Sequence, residues 1–537
     1  MNRAAHVNRL QQQGEFDLLV IGGGATGCGI ALDAASRGLD VALVEKNDFA
    51  EGTSGRSTKL LHGGVRYLEL AVKHLDREQY NLVRDGLRER GLLLHNAPHL
   101  TRRLPLLIPL YSWWQLPYIY SGLRFYDFLA GKRGIGRSRL LGRKAVLSRL
   151  PGLKAAGLKG GVLYFDGQFN DARTVLALAM TAAEQGAALA NHVEVKGLLK
   201  ERQRIVGAEL IDHLSGVSWE LRARGVINAS GPFSDSVRQL DDPCASPLLQ
   251  ISSGIHLVLP KQFLPVETGM VIPRTDDGRI LFVLPWEGHA LVGTTDEVAA
   301  VCDHPRVTAE EISYLLRHLN KYLDVQVREE DILAAWSGLR PLARAEATEN
   351  TSRLVRDHFI HLSRSGLLTV SGGKWTTYRR MAEDAVDQAV QSFSLSAHYG
   401  CRTCDLPLSG GGNYLKDGAQ VLVGNYGLTP ETARHLHCAY GDRAVAVADL
   451  AHNTGNRLLV AGHPYLEAEI SYAAHYEAVG RAIDVLARRL PLALLDREAA
   501  LSVLPRVIEL LATELSWTDV RGEEELQLAR KRILEGI

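Results

Sequence analysis

An apolar run from Asp17 to Ile21 leads directly into Gly22-Gly-Gly24-Ala-Thr-Gly27, and a helical stretch follows as far as Gly38. A second apolar run, Val41 to Val44, closes on Glu45. Strand, glycine turn, helix and strand in this order make the dinucleotide-binding βαβ fingerprint. Gly22 permits the tight turn, Gly24 lets the backbone approach a pyrophosphate, and Gly27 lets helix and strand pack closely. The helix N-terminus stabilises phosphate charge, and Glu45 suits the hydroxyls of the adenosine ribose. The motif by itself does not separate NAD from FAD. No second fingerprint follows it in the chain.

A chain of 537 residues is too long for one core, so two or three domains are expected. Lysine plus arginine and aspartate plus glutamate balance at 61 each, which gives no case for a nucleic-acid partner. Cys28, Cys244, Cys302, Cys401, Cys404 and Cys438 form no disulfide framework, and Met1 to Glu15 lacks the apolar segment of a secretory signal. A reducing, cytoplasmic setting is therefore expected. Cys401 and Cys404 form a single CxxC, too few ligands for a tetrahedral site, so no metal is expected. The uncharged stretch Leu104 to Leu123 matches a bilayer span in length, but Pro105, Pro109 and Pro117 would leave backbone groups unpaired in lipid. No transmembrane helix is expected there. The polar first dozen residues read as a mobile tail.

The segment after the fingerprint is Thr53-Ser-Gly-Arg-Ser-Thr-Lys-Leu-Leu-His-Gly-Gly-Val-Arg-Tyr-Leu-Glu69. Asn170 to Arg173, Asn228-Ala-Ser-Gly-Pro232, Ser253-Gly-Ile-His256 and Leu284-Pro-Trp286 come later. Gly293-Thr-Thr-Asp296, Trp336 to Leu342 and Gly372 to Arg379 complete the series. In this order the motifs resemble the FAD-dependent, quinone-linked glycerol-3-phosphate dehydrogenases, within the D-amino-acid-oxidase-like flavoproteins, over most of the chain. Ser230 is a departure, since many relatives have threonine there; it keeps the hydroxyl.

The resemblance implies an α/β fold: a Rossmann-like FAD-binding domain, a β-rich substrate domain and a C-terminal all-helical cap. Residues 14–70 would start the FAD domain, which would return at about 160–245 and 335–395. Residues 71–159 and 246–334 would form the substrate domain with a membrane-facing region, and 396–537 the cap. Helical spacing of Ile470, Ala473, Val479, Ile483, Leu486 and Leu490, and of Leu504, Val507, Ile508 and Leu511, fits that cap.

The reaction implied is oxidation of sn-glycerol 3-phosphate to dihydroxyacetone phosphate, by hydride transfer from C2 to N5 of FAD, with electrons passed to membrane quinone. The alternative is a glycerol-3-phosphate oxidase that uses oxygen and makes hydrogen peroxide. An amino-acid oxidase of the same fold would need no site for a dianion, and a non-catalytic flavin sensor belongs to another class altogether. By the resemblance, Arg66, Tyr67, Arg340, Lys374 and Thr377 bind substrate, and His256, Arg340 and Lys374 form the catalytic set. Arginine's fork suits phosphate oxygens and Lys374 suits a place beside the flavin. His256 is the expected base, because an ordinary imidazole titrates near neutral pH. The cofactor set is Gly22, Gly24, Gly27 and Glu45, then Ser54, Ser57, Thr58, Lys59, His62 and Gly64, then Val193, Ser230, Gly231, Gly373, Lys374 and Thr376.

Tyr111, Trp113, Trp114, Tyr118, Tyr120, Phe125, Tyr126 and Phe128 crowd one segment, and Lys132, Arg133, Arg137, Arg139, Arg143 and Lys144 follow without an acid among residues 131 to 144. Aromatic and basic residues together suit a headgroup layer. With the resemblance they imply a monotopic enzyme, peripheral on the inner face of the cytoplasmic membrane. A homodimer is compatible with the sequence.

Overall fold

The structure, a computed structural model, describes residues 1–65, 76–344 and 358–537. Two sheets organise it. The first has eight strands, and its core is parallel: Leu367–Gly372, Ser218–Asn228, Phe16–Ile21, Val41–Val44 and Ala188–Ala190 run side by side. Phe16, Leu18, Leu19 and Val20 are all buried, as expected of a strand covered on both faces. Ile21 pairs with Val44 on one side and Asn228 on the other, and Asn228 pairs with Thr369. The carboxyl ends of these strands are therefore level, and loops leaving them open a crevice at the switch point.

The second sheet has ten strands, with Leu249–Leu259 paired to Ala334–Ala343 over ten residues, from Leu249↔Ala343 to Val258↔Ala334. Thr101–Leu110 pairs along its length with Gly160–Phe169, while on its other side only Leu106 and Leu107 are paired. Pro105 and Pro109 thus flank the doubly paired stretch, where their missing N–H groups cost no ladder bond. Among the described residues no helix is long and apolar enough to cross a membrane. The residues after 417 are almost entirely helical, from Gly418–Tyr426 to Asp519–Glu535. Ile470, Ala473, Val479, Ile483, Leu486 and Leu490 are buried, in one apolar cluster with Trp286 and Trp336 of the second sheet.

One expectation needs correcting. The first dozen residues are a helix, Arg3–Gln12, with Val7 and Leu10 buried against the first sheet. Arg3 anchors it by a 2.6 Å ion pair with Asp212. Gly160–Phe169 and Ala334–Ala343 are paired in the second sheet by ten-residue ladders, and among the described residues the next strands of the first sheet after them are Ala188–Ala190 and His358–Leu362.

Candidate active site

The crevice above the parallel strands holds a cavity of about 620 Å³, bordered by both sheets. Its floor is the fingerprint turn. Gly22 has φ +113°, and a Cβ there would lie 2.7 Å from the Ala229 carbonyl oxygen. A Cβ on Gly27 would lie 1.8 Å from the Gly22 oxygen, so the helix Ala25–Ser36 can start this close only with glycine. The first N–H of that helix, on Ala25, donates to Ser54 Oγ at 2.9 Å. Glu45 accepts from the N–H of Gly23 at 2.6 Å and of Asn47 at 2.9 Å, and burial raises its pKa against those bonds.

Of the expected cofactor residues, Gly22, Gly24, Glu45 and Ser54 border the cavity, as do Ser57 and Thr58. Val193 borders it beside Glu45, and Ser230, Gly231, Gly373 and Lys374 border it from the other side of the fingerprint strand. Others face elsewhere. Lys59 is buried, and its ammonium donates to Gly55 O at 2.7 Å and Asp171 Oδ1 at 2.6 Å. Thr376 donates to the His62 carbonyl at 3.4 Å, Thr377 to the Lys374 carbonyl at 3.1 Å, and His62 Nδ1 accepts from Gly64 N–H at 3.0 Å. Lys59, His62, Gly64, Thr376 and Thr377 are not among the residues that line the cavity, and neither is Gly27, which packs against the Gly22 oxygen. Arg66 and Tyr67 lie outside the described residues.

His256 and Arg340 come together at this cavity from adjacent strands, His256 opposite Trp336 and Arg340 opposite Ser252. The His256 ring stacks on Trp336 at 5.3 Å, and its Nε2 is 2.9 Å from Thr58 Oγ1. Its Nδ1 is buried with no hydrogen-bond partner among the described residues. Burial, then the charges of Arg340 and Lys59, hold its pKa well below the usual histidine value. Arg340 donates to Thr294 Oγ1 at 2.9 Å and to Asp296 Oδ1, Thr295 O and Ser253 O at 3.2 Å each. Trp375 was not among the expected contacts, although it sits inside a recognised motif. It borders the cavity and its indole N–H donates to Ser54 O at 2.9 Å. Cys401 contacts Arg379 and Thr403, and burial raises its thiol pKa to about 11.

Residues 17–379 match the FAD dependent oxidoreductase model, and 401–522 match the C-terminal domain of alpha-glycerophosphate oxidase. The mitochondrial glycerol-3-phosphate dehydrogenase of Rattus norvegicus is 47% identical over 99% of this chain and 75% of its own length. The chain belongs to this FAD-dependent glycerol-3-phosphate dehydrogenase family. The human member is 46% identical over the same shares of both sequences. A solved glycerol-3-phosphate dehydrogenase from Bacillus halodurans, complexed with FAD, superposes with a TM-score of 0.81 at 29% identity, over 99% of this chain and 97% of that one. L-alpha-glycerophosphate oxidase from Mycoplasma pneumoniae shares the fold, with a TM-score of 0.54 at 16% identity, 73% of this chain and 98% of that one. FAD is the flavoenzyme's cofactor, and the cavity suits it. The glycine turn, the start of the helix Ala25–Ser36 and the buried Glu45 offer the groups that a pyrophosphate and a ribose would need.

Proposed function

We propose that this flavoenzyme oxidises sn-glycerol 3-phosphate to dihydroxyacetone phosphate and passes the electrons to membrane quinone. The observation that carries the reading is that His256 and Arg340 border one cavity from neighbouring strands. FAD, when bound, accepts the hydride from C2. His256 takes the C2 hydroxyl proton. Because Nδ1 is sealed off without a partner, the proton reaches the ring at Nε2, on the side of Thr58. The depressed pKa keeps the ring neutral, hence able to accept, at and below neutral pH. A phosphate dianion bound at Arg340 offsets one of the charges that weaken the base, so substrate binding raises its basicity. Arg340 is held by its hydrogen bonds to Thr294 and Asp296, which orient its fork. Lys374 adds positive charge at the cavity edge. Arg66 and Tyr67 are assigned to substrate on their motif alone.

Anaerobic titration with glycerol 3-phosphate should bleach the flavin. A flavin that stays oxidised under excess substrate would exclude the reaction, and stoichiometric peroxide in air would select the oxidase alternative. Arg340→Ala should raise KM for glycerol 3-phosphate about ten- to a hundredfold, the worth of one charge-assisted contact of ~1.5–3 kcal/mol. Glycerol is the control, having no phosphate to lose. Equal damage to glycerol turnover would take Arg340 away from phosphate.

The membrane reading rests on the helix Gln115–Ala130 and the turn before it. Trp113, Trp114 and Phe128 are 69%, 66% and 77% exposed, and Tyr118 and Phe125 are exposed beside them. Lys132, Arg133, Arg137, Arg139, Arg143 and Lys144 are exposed just beyond. Tyr126 of the same helix turns inward, and its hydroxyl accepts from Gly63 N–H at 2.7 Å. Apolar rings with a basic fringe suit an anionic headgroup layer on the inner face of a cytoplasmic membrane. Replacing Trp113, Trp114 and Phe128 by serine should weaken co-sedimentation with anionic vesicles at least about tenfold, since each buried ring is worth ~1.5–3 kcal/mol. Turnover with a water-soluble electron acceptor should be preserved. Undiminished vesicle binding would move the contact surface elsewhere.

A further inference from the structure

A large group of buried charges lies at one edge of the cavity, where the helical domain meets the loop after the strand Val41–Val44. Asp48 is fully buried and accepts from Arg488 Nε at 2.5 Å, Asn191 Nδ2 at 2.8 Å, and both Nη atoms of Arg489. Asp484 accepts from Arg488 Nη2 at 2.7 Å and pairs with His192 Nε2 at 2.9 Å. Asp48, His192 and Asp484 bring ligand-type atoms within 4.8 Å of one another, but guanidinium groups already fill the space a cation would need. Glu51, three residues on, is held by Arg488 at 3.3 Å and by Arg532 at 3.1 Å. Arg532 also donates to His304 Nε2 at 2.5 Å. Burial alone would raise the Glu51 pKa, yet Arg488, Arg532 and Arg56 hold it at about 2.

Every element gripped here is also cavity wall. Glu45, Asn47, Glu51 and Ser54 border the cavity from the loop, and Val193 borders it next to His192. The two are tied together, His192 N–H donating to Asn47 O at 2.6 Å and Val193 N–H to Glu45 O at 2.8 Å. Arg488 and Arg532 themselves do not border it. They come from the short π-helix Val485–Arg489 and the last helix, Asp519–Glu535, more than 400 residues along the chain from Asp48.

We propose that Arg488 and Arg532 are positioning residues for the cofactor: the helical domain clamps the wall around Glu51 and so sets the affinity for FAD without touching it. Without Arg532 the Glu51 carboxylate loses a partner and the loop relaxes away from the shape that receives the cofactor. Coupling between a distant contact and a binding site is typically worth about 5- to 150-fold.

The test is FAD titration of the apoprotein, read by quenching of flavin fluorescence. Arg532→Met should weaken FAD binding about ten- to a hundredfold, and Arg532→Lys should restore most of the loss. KM for glycerol 3-phosphate, measured with FAD saturating, should not change. An FAD Kd within about twofold of wild type for Arg532→Met overturns the proposal, whatever happens to thermal stability. Should that variant not fold, Glu51→Gln and Glu51→Gln with Arg532→Met are compared, so that no buried carboxylate is left unpaired. Affinities equal to each other and weaker than wild type place the effect of Arg532 on Glu51, as proposed; affinities within about twofold of wild type, or a further weakening in the double variant, refute it.

Discussion

His256→Asn is expected to retain the fold and the FAD while slowing anaerobic flavin reduction by glycerol 3-phosphate about 10²–10⁴-fold, the usual loss of a general base. Asparagine keeps a polar atom for Thr58 and removes the titrating ring. The pocket made for that ring is tight: a Cβ on Gly293 would lie 2.3 Å from His256 Cδ2. The pH dependence separates catalysis from packing. His256 is depressed from the usual histidine value, so the neutral base persists as pH falls through 6.5 and is lost only further down. In kcat/KM, which reports free enzyme and free substrate, the wild type should show that acid limb and the mutant should not. The second ionisation of the substrate phosphate, near about pH 6, is common to both and cancels in the comparison. Substrate deuterated at C2 should give the mutant an isotope effect equal to or larger than that of the wild type. A mutant that reduces its flavin within about threefold of the wild-type rate would make His256 a core histidine stacked on Trp336.

Legibility in the sequence followed locality. The fingerprint was legible because each requirement is met within thirty residues: the turn at Gly22, the close packing at Gly27 and the acid at Glu45. The helical domain was legible because a 3.6-residue period survives averaging over long helices, and the expected positions from Ile470 to Leu490 are buried. Arg3–Gln12 was missed because its apolar face is only Val7 and Leu10, and what fixes the helix is an ion pair with Asp212, 209 residues away. The sheet membership of Gly160–Phe169 was equally hidden, since a ten-residue ladder to Thr101–Leu110 leaves no local mark. Within the site, the motif segments come together around one cavity, but a motif does not give the direction of each side chain. The hydroxyls of Thr376 and Thr377 satisfy the carbonyls of His62 and Lys374, and nothing in the spacing of the motif says so. The clamp on Glu51 could not be foreseen at all, because its partners, Arg488 and Arg532, belong to a different domain.

Lys59 shows the same effect with an energetic consequence. It lies between Thr58, which borders the cavity, and Leu60, which starts a strand, and its φ of +60° turns the side chain back under the loop. Lys59 and Asp171 are 2% and 1% exposed, so the ion pair between them is sealed from water. Asp171 also accepts from Ser57 N–H at 3.0 Å, from Ser57 Oγ at 2.7 Å and from Ala172 N–H at 2.8 Å. Burial lowers the lysine pKa even though Asp171 opposes the shift, so forming the pair yields little net stability. Breaking it is another matter, because one charge would be left buried alone. Lys59→Met should therefore destabilise the protein by about 3–5 kcal/mol, read as a lowered denaturant midpoint in both apo and FAD-bound forms. Lys59→Met combined with Asp171→Asn removes both charges, keeps an acceptor for Ser57 and should recover part of that loss. FAD affinity of the folded single mutant should stay within a few-fold of wild type, because the ammonium points to Gly55 and Asp171 and not into the cavity. A mutant with an unchanged midpoint but FAD binding weakened more than tenfold would return Lys59 to the cofactor contacts, where the sequence motif had put it.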